Sequence, residues 1–230
     1  MKKKAIFNWS GGKDSAMALY QAQQEGDFDI AYIMTSVNAN SERISMHGVR
    51  NELLENQAES LGLPLQKLFL PESSEMDVYE KHLFEIMNRF KSEGIDYSIF
   101  GDIFLEDLKL YREKQLQKVN MQGVFPLWKK DTKYLIEQFI DLGFKTILTA
   151  VDESKLSKEF AGRVIDKDFL KDLPSDVDPC GENGEFHTFV FDGPNFKHKI
   201  DFEIGEIIHK KYAYDKEYGF WFCDLLTRRG

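Results

Sequence analysis

Apolar positions along this chain fall alternately into short unbroken runs and helical stripes. Residues 5–9, Ala-Ile-Phe-Asn-Trp, form a nearly continuous apolar run, the pattern of a strand buried on both faces. A helix opens behind it, with Asp14 and Ser15 in its first turn and Ala16 to Tyr20 following. Residues 28–34 read as a second strand ending at Thr35 and Ser36. Val49, Leu53, Leu54, Ala58 and Leu61 then recur at helical spacing up to Gly62, a helix stop, and a strand opens at Pro64–Leu65 and runs through Phe69.

The same alternation continues. Ser73–Ser74 caps a helix with Met76, Tyr79, Leu83, Ile86, Met87 and Phe90 on one face, and a strand follows over residues 97–100. Residues 105–119 are helical again, and the apolar segment 124–128 contains Pro126, which keeps it from being a long central strand. Asp131 caps a helix that buries Leu135, Ile136, Phe139, Ile140 and Leu142, and residues 145–151 form the last strand of the alternating region. Strands alternating with helices predict an α/β fold, a doubly wound and mostly parallel sheet covered on both faces. The rhythm breaks near residue 170. The acidic, proline-containing stretch 171–179 reads as a connection, and residues 186–191, 200–208 and 218–222 as a small antiparallel sheet. The expected division is therefore residues 1–170 and a small C-terminal α+β domain over 171–230.

Between the first strand and first helix lies Ser10-Gly11-Gly12-Lys13-Asp14-Ser15. Adjacent glycines let backbone N–H groups converge, the helix start adds the positive end of its dipole, and Lys13 with the hydroxyls of Ser10 and Ser15 completes a cradle for polyphosphate. The spacing is not that of a Walker A loop, which needs four residues before Gly-Lys and a hydroxyl directly after the lysine. In doubly wound sheets ligands sit outside the carboxyl ends of the strands where strand order reverses, so Thr35, Ser36, Gly101, Asp102, Asp152 and Glu153 could share the crevice. Asp102 could hold magnesium beside a triphosphate or cap the following helix, with equal weight; Asp14 is the other candidate metal carboxylate. A second dense segment, residues 178–188, reads Asp-Pro-Cys-Gly-Glu-Asn-Gly-Glu-Phe-His-Thr. Glu182 and Glu185 could hold an ammonium ion and take its proton, and His187 could shuttle one near neutral pH; composition alone favours a hairpin that merely turns the chain.

Composition narrows the classes. Hydrophobic residues at 42% and charged residues at 30% describe an ordinary globular protein. The formal charge of −9 argues against nucleic acid as partner. Cys180 and Cys223 are too far apart for a metal ribbon or redox pair and are expected as free thiols. No apolar run reaches membrane length, and Met1-Lys2-Lys3-Lys4 passes into a strand, so a cytoplasmic location is expected. Association into a homo-oligomer is left open.

The loop at 10–15 resembles the pyrophosphatase loop of the PP-loop ATP pyrophosphatases, which are similar in fold to the adenine-nucleotide α-hydrolases (the HUP, Rossmann-like group) and split ATP between the α and β phosphates. Together with Gly101-Asp102-Ile103, Pro126-Leu127-Trp128, Gly162-Arg163, the segment at 181–188 and Asp192-Gly193-Pro194, it resembles, in order and over nearly the whole chain, the diphthine-ammonia ligase family. That resemblance implies an ATP pyrophosphatase domain and a C-terminal substrate domain. It implies ATP and Mg²⁺ as cofactors and an amide made from a carboxylate and ammonium with release of AMP and pyrophosphate. Carried over by motif, Ser10, Gly11, Gly12, Lys13, Asp14 and Ser15 would bind ATP phosphates. Gly181, Glu182, Asn183, Gly184, Glu185, His187 and Thr188 would line the acceptor site, with Lys13, Asp14, Glu182 and Glu185 as the catalytic set. Asn183 and His187 stand where the family motif usually has glycine and glutamate, so the carboxylate-bearing acceptor, protein or small molecule, is not named by the sequence. Other adenylating chemistry such as RNA thiolation, and a non-catalytic ATP or AMP sensor, are the alternatives.

Overall fold

A computed structural model describes residues 2–38, 43–44, 48–70, 76–211 and 219–228. The first half alternates as the pattern predicts: β1 (Lys3–Asn8), α1 (Lys13–Glu25), β2 (Phe28–Asn38), β3 (Arg43–Ile44), α2 (Asn51–Leu61), β4 (Leu65–Leu70), α3 (Met76–Ser92), β5 (Tyr97–Ile99), α4 (Glu106–Gln117) and β6 (Gln122–Val124). Five of these strands pair in parallel in the order β4-β2-β1-β5-β6, with the two-residue β3 antiparallel against the end of β2. The chain thus starts in the middle, builds outward through β2 and β4, then returns to the other side of β1. The reversal lies between β1 and β5, which places a crevice at their carboxyl ends. Asn8 stitches the two strands there, its Nδ2 donating to Ser98 Oγ at 2.8 Å and to the Ile99 carbonyl at 3.0 Å.

Period-two alternation divides β1 between two cores. Ala5 and Phe7 join Leu19, Leu53, Leu54 and Ala58 under α1 and α2, whereas Ile6 joins Met34, Met87, Phe90 and Leu116 under α3 and α4. All three β1 residues are fully buried, and large apolar side chains such as Ile6 and Phe7 contribute roughly 1.5–3 kcal/mol each when removed from water.

The second half holds α5 (Thr132–Asp141), β7 (Lys145–Asp152), α6 (Lys167–Asp172), β8 (Phe186–Asp192), β9 (Phe202–Lys210) and β10 (Phe220–Thr227). Its strands form a separate antiparallel sheet in the order β8-β7-β10-β9. Here the structure corrects the expectation for residues 145–151. They form a strand, but it pairs antiparallel with β8 and β10 and not with the parallel sheet, so the change of sheet falls between β6 and β7, ahead of the boundary expected near 170. The C-terminal strands also run to later ends than the apolar runs indicate. Asp131 does cap α5, accepting from Tyr134 N at 2.7 Å. Asp102 does not cap α4, whose N-cap position is Leu105. The expected cap at Ser73–Ser74 lies outside the described residues.

The antiparallel sheet packs into the core under α1 and α2 through Ile147, Leu148, Val151, Phe186, Phe189 and Val190. Asp224 of β10 is held between Arg43 Nη1 at 2.8 Å and Arg50 Nη2 at 2.6 Å, tying the last strand to the chain around α2. Burial opposes the Asp224 charge, but the two guanidiniums outweigh it and bring its pKa down to about 2. Cys180 and Cys223 are buried free thiols.

Candidate active site

The chain leaves β1 through Trp9, whose N–H continues the parallel ladder to the Met34 carbonyl at 2.8 Å. Ser10 Oγ accepts from Gly12 N at 3.3 Å and donates to Ser15 Oγ at 3.1 Å, while Ser15 Oγ donates to the Gly12 carbonyl at 2.9 Å. Both hydroxyls therefore fold the loop onto the first turn of α1. Gly11 adopts φ +81°, and a Cβ there would lie 2.9 Å from Gln57 Oε1; only glycine meets both demands.

Gln57 is the residue around which this loop closes. It is fully buried, its Oε1 accepts from Trp9 Nε1 at 2.9 Å, and its Nε2 donates to the carbonyls of Gly11 at 2.9 Å and Val190 at 2.7 Å. Val190 N in turn donates to the Gly11 carbonyl at 2.9 Å. Gln57→Leu is expected to strand the Trp9 donor and loosen both carbonyls. The expected cost is about 2–4 kcal/mol, at about 1–3 kcal/mol per buried group left unsatisfied. Chemical denaturation measures it; a loss near zero would mean the network does not hold the loop.

Lys13 is a buried charge, not a side chain reaching into solvent. It is 3% exposed, its Nζ lies 2.8 Å from Asp14 Oδ2 and also donates to the Cys180 carbonyl, and it sits 5.3 Å from the centre of the Phe186 ring. Its backbone N–H donates to Thr188 Oγ1 at 3.0 Å. Burial opposes its charge, but the Asp14 carboxylate outweighs this and raises its pKa, so Lys13 remains a cation. Burial likewise raises the pKa of Asp14 against the pull of Lys13.

The segment 178–188 wraps over this corner. Asp178 Oδ1 accepts from Cys180 N at 2.9 Å and Glu182 N at 3.2 Å, and its Oδ2 accepts from Thr132 Oγ1 at 2.7 Å. The two glutamates have parted roles. Glu185 is 3% exposed and turned back into its own loop, accepting from Asp178 N at 3.1 Å, Asn183 N at 3.0 Å and Asn183 Nδ2 at 3.0 Å. Glu182 instead reaches across to the β5–α4 loop, where its Oε1 accepts from Ile103 N at 2.9 Å and Phe104 N at 3.4 Å. Among the described residues no hydrogen bond reaches its Oε2. Burial first, and then the nearby Asp14 charge, push the Glu182 pKa up to about 7, against the amide bonds and Lys13.

One cavity of about 610 Å³ gathers these groups. Ser10, Lys13, Asp14, Ser15, Thr35, Ser36, Gly101 and Asp102 line it from the parallel sheet, and Gly181, Glu182, Asn183, Gly184, His187 and Thr188 from the second half of the chain. Gly11, Gly12 and Glu185 shape the loops behind the wall and do not line it, and Asp152 and Glu153 lie elsewhere, on the antiparallel sheet: Asp152 accepts from Ser154 and Glu153 from Gly219 N. The buried hydroxyl of Thr35 is engaged with the Trp9 carbonyl at 2.7 Å. Asp102 is held by Arg112, whose Nη2 donates to Oδ1 at 3.2 Å and whose Nε is 3.0 Å from Oδ2 without hydrogen-bond alignment. Gly101 permits this arrangement, since a Cβ there would press at 3.0 Å on the backbone of Asp14 and Ser15. The cavity then widens into an apolar arm between α3 and α4, lined by Leu83, Met87, Phe100 and Leu116. Sequence reasoning missed Gln57, Arg112 and this arm. For Gln57 there was a signal: a polar residue at the buried spacing set by Leu53, Leu54, Ala58 and Leu61.

Residues 1–123 match the domain profile described as diphthamide synthase N-terminal domain, and residues 131–224 the one described as diphthamide synthase C-terminal domain. The chain is similar to a protein from Danio rerio named diphthine–ammonia ligase, 26% identical with 89% of each chain covered. Proteins of the same name from Bos taurus and Homo sapiens are 26% and 25% identical, over 86% of this chain and 82% of theirs. A solved U34-tRNA thiolase from Methanococcus maripaludis overlaps 61% of this chain and 57% of its own at 17% identity, with a TM-score of 0.38, too slight a likeness to carry an argument. With both profiles matched in order along one chain, and the residues they span closing around one cavity, this chain belongs to the diphthamide synthase family.

Proposed function

We propose that the chain is an ATP-dependent amide-forming ligase acting in the cytoplasm, which joins ammonia to a carboxylate and releases AMP and pyrophosphate, as the names of its relatives suggest for diphthine. The observation that carries this reading is Lys13: one residue bonds the phosphate loop through Asp14 and the 178–188 segment through Thr188 and the Cys180 carbonyl, so a polyphosphate site and a carboxylate-lined site share one cavity.

In the first step an oxygen of the acceptor carboxylate forms a bond to the α-phosphorus and the bond to the β-phosphate bridging oxygen breaks. The loop at 10–15 binds the phosphates and Lys13 lends fixed positive charge as charge accumulates on the leaving pyrophosphate. In the second step ammonia attacks the acyl carbon of the adenylate and AMP leaves. Glu182 is the group placed to hold ammonium and remove its proton. Its Oε1 is pinned by two amides, no hydrogen bond among the described residues reaches its Oε2, and a pKa near 7 suits a base working at neutral pH. Glu185 acts by holding the loop that presents Glu182. Among the described residues no three acidic, histidine or cysteine side chains converge as a metal cage, which suits magnesium carried mainly by phosphate oxygens and one carboxylate. Asp14, on the loop at 10–15 itself, is the residue that would hold it, and the ion would neutralise charge on the leaving group.

Phosphorus NMR of the protein with ATP, ammonium and an extract of its source cells tests the reading. AMP and pyrophosphate are the expected products; ADP with orthophosphate would overturn it.

A further inference from the structure

The cavity presents three carboxylates, Asp14, Asp102 and Glu182, against two cationic side chains, Lys13 and Arg112, among its described lining residues. Lys13 is buried and already bonded to Asp14 and the Cys180 carbonyl. A triphosphate arriving here needs further positive charge, and Arg112, which gives Asp102 one hydrogen bond at 3.2 Å, is the other cation of the lining. Its contact with Asp102 is incomplete: Arg112 Nε and Asp102 Oδ2 are both buried without a hydrogen bond although they lie 3.0 Å apart, and Asp102 is 9% exposed. The guanidinium carbon packs 4.6 Å from the centre of the Phe100 ring, a cation–π contact, and Arg112 lines the cavity.

Its position is defined from both sides. Asp102 follows β5, and Gly101 before it touches the backbone of Asp14 and Ser15. Tyr79, whose hydroxyl is hydrogen-bonded with Ser36 near the end of β2, lines the cavity with Arg112. Arg112 therefore lines the same cavity as Ser36 near the end of β2 and Asp102 just past β5. We propose that Arg112 is a substrate-binding residue that supplies the second positive charge to the polyphosphate of ATP, with Asp102 holding it in readiness. The proposal rests on the reading of this cavity as an ATP site.

Calorimetric titration of the full chain with α,β-methylene ATP, inorganic pyrophosphate and AMP tests it. Arg112→Met is expected to weaken the ATP analogue and pyrophosphate by about 10–100-fold, the loss of one charge-assisted contact, and AMP by no more than about twofold. Arg112→Lys is expected to recover part of the loss, since a point charge still attracts phosphate. Retained AMP binding marks Arg112→Met as folded; should it not fold, Arg112→Lys decides, because the loss of bidentate contact still weakens the analogue relative to AMP. Analogue affinity unchanged in the variant, or AMP weakened as much as ATP, overturns the proposal alone. Wild-type protein that binds neither the ATP analogue nor pyrophosphate overturns both the proposal and the ATP-site reading.

Discussion

Glu182→Gln is expected to slow turnover by about 10²–10⁴-fold, the usual cost of losing a positioned general base, while ATP affinity stays near that of the wild type. The substitution is nearly isosteric. The glutamine carbonyl can take over the place of Oε1 and still accept from Ile103 N and Phe104 N, so the loop contact persists and only the proton acceptor is lost. The pH dependence follows from the same residue. With its pKa raised to about 7, the base form fills as pH rises through 7, and the wild-type rate should rise with it; the variant should lack that limb. Stability carries the opposite sign. The native state keeps a proton on Glu182 that the unfolded chain has released above its ordinary value of 4.5, so wild-type stability falls across pH 4.5 to 7 on this account and the variant loses that slope. Pyrophosphate release followed from about pH 5 to about pH 8, a range spanning the titration of such a base, measures the first effect, and an unchanged rate with an unchanged profile would remove Glu182 from the mechanism.

Lys13→Met is expected to cost at least about 10²-fold in turnover, because preorganised charge at the phosphates is among the strongest sources of rate in such chemistry. Unlike a surface lysine, Lys13 also holds the structure together. Removing its charge leaves Asp14 near Asp178 and Glu182 without the Lys13 cation, and breaking one half of this part-buried pair is destabilising. Two further readouts follow: a lower melting temperature, and a Glu182 titration displaced upward, since Lys13 is one of the groups that lower it. A rate within about twofold of wild type would tell against electrostatic stabilisation by Lys13.

That the loop at 10–15 and the 178–188 segment form a site was legible only as far as residues adjacent in the chain become adjacent in space, and both segments line one cavity. Parallel order in the first sheet was legible for a related reason, since strands separated by helices must return in the same direction. The fate of residues 145–151 was not. A strand buried on both faces has the same apolar run whether it pairs parallel or antiparallel, and Lys145–Asp152 finds its partners in β8 and β10, which lie later in the chain. The burial of Lys13 was not legible for the same cause, because Cys180, Phe186 and Thr188, which pack against it, come much later in the chain. Arg112 stands on a largely polar helix where no spacing distinguishes it from its solvated neighbours, and only its meeting with Asp102 and Phe100 sets it apart.

The hydrogen bonds from Val190 N to the Gly11 carbonyl and from Lys13 N to Thr188 Oγ1 join atoms 175 or more positions apart in sequence. Synthesis proceeds from the N-terminus, and earlier segments can fold before later ones emerge. The loop at 10–15 is made well before β8, and although Gln57 of α2 can brace it early, it lacks its contacts with Thr188 and Val190 until that strand has left the ribosome. A nascent chain therefore carries the Ser-Gly-Gly-Lys-Asp-Ser motif long before it carries the cavity that this motif and residues 181–188 line together.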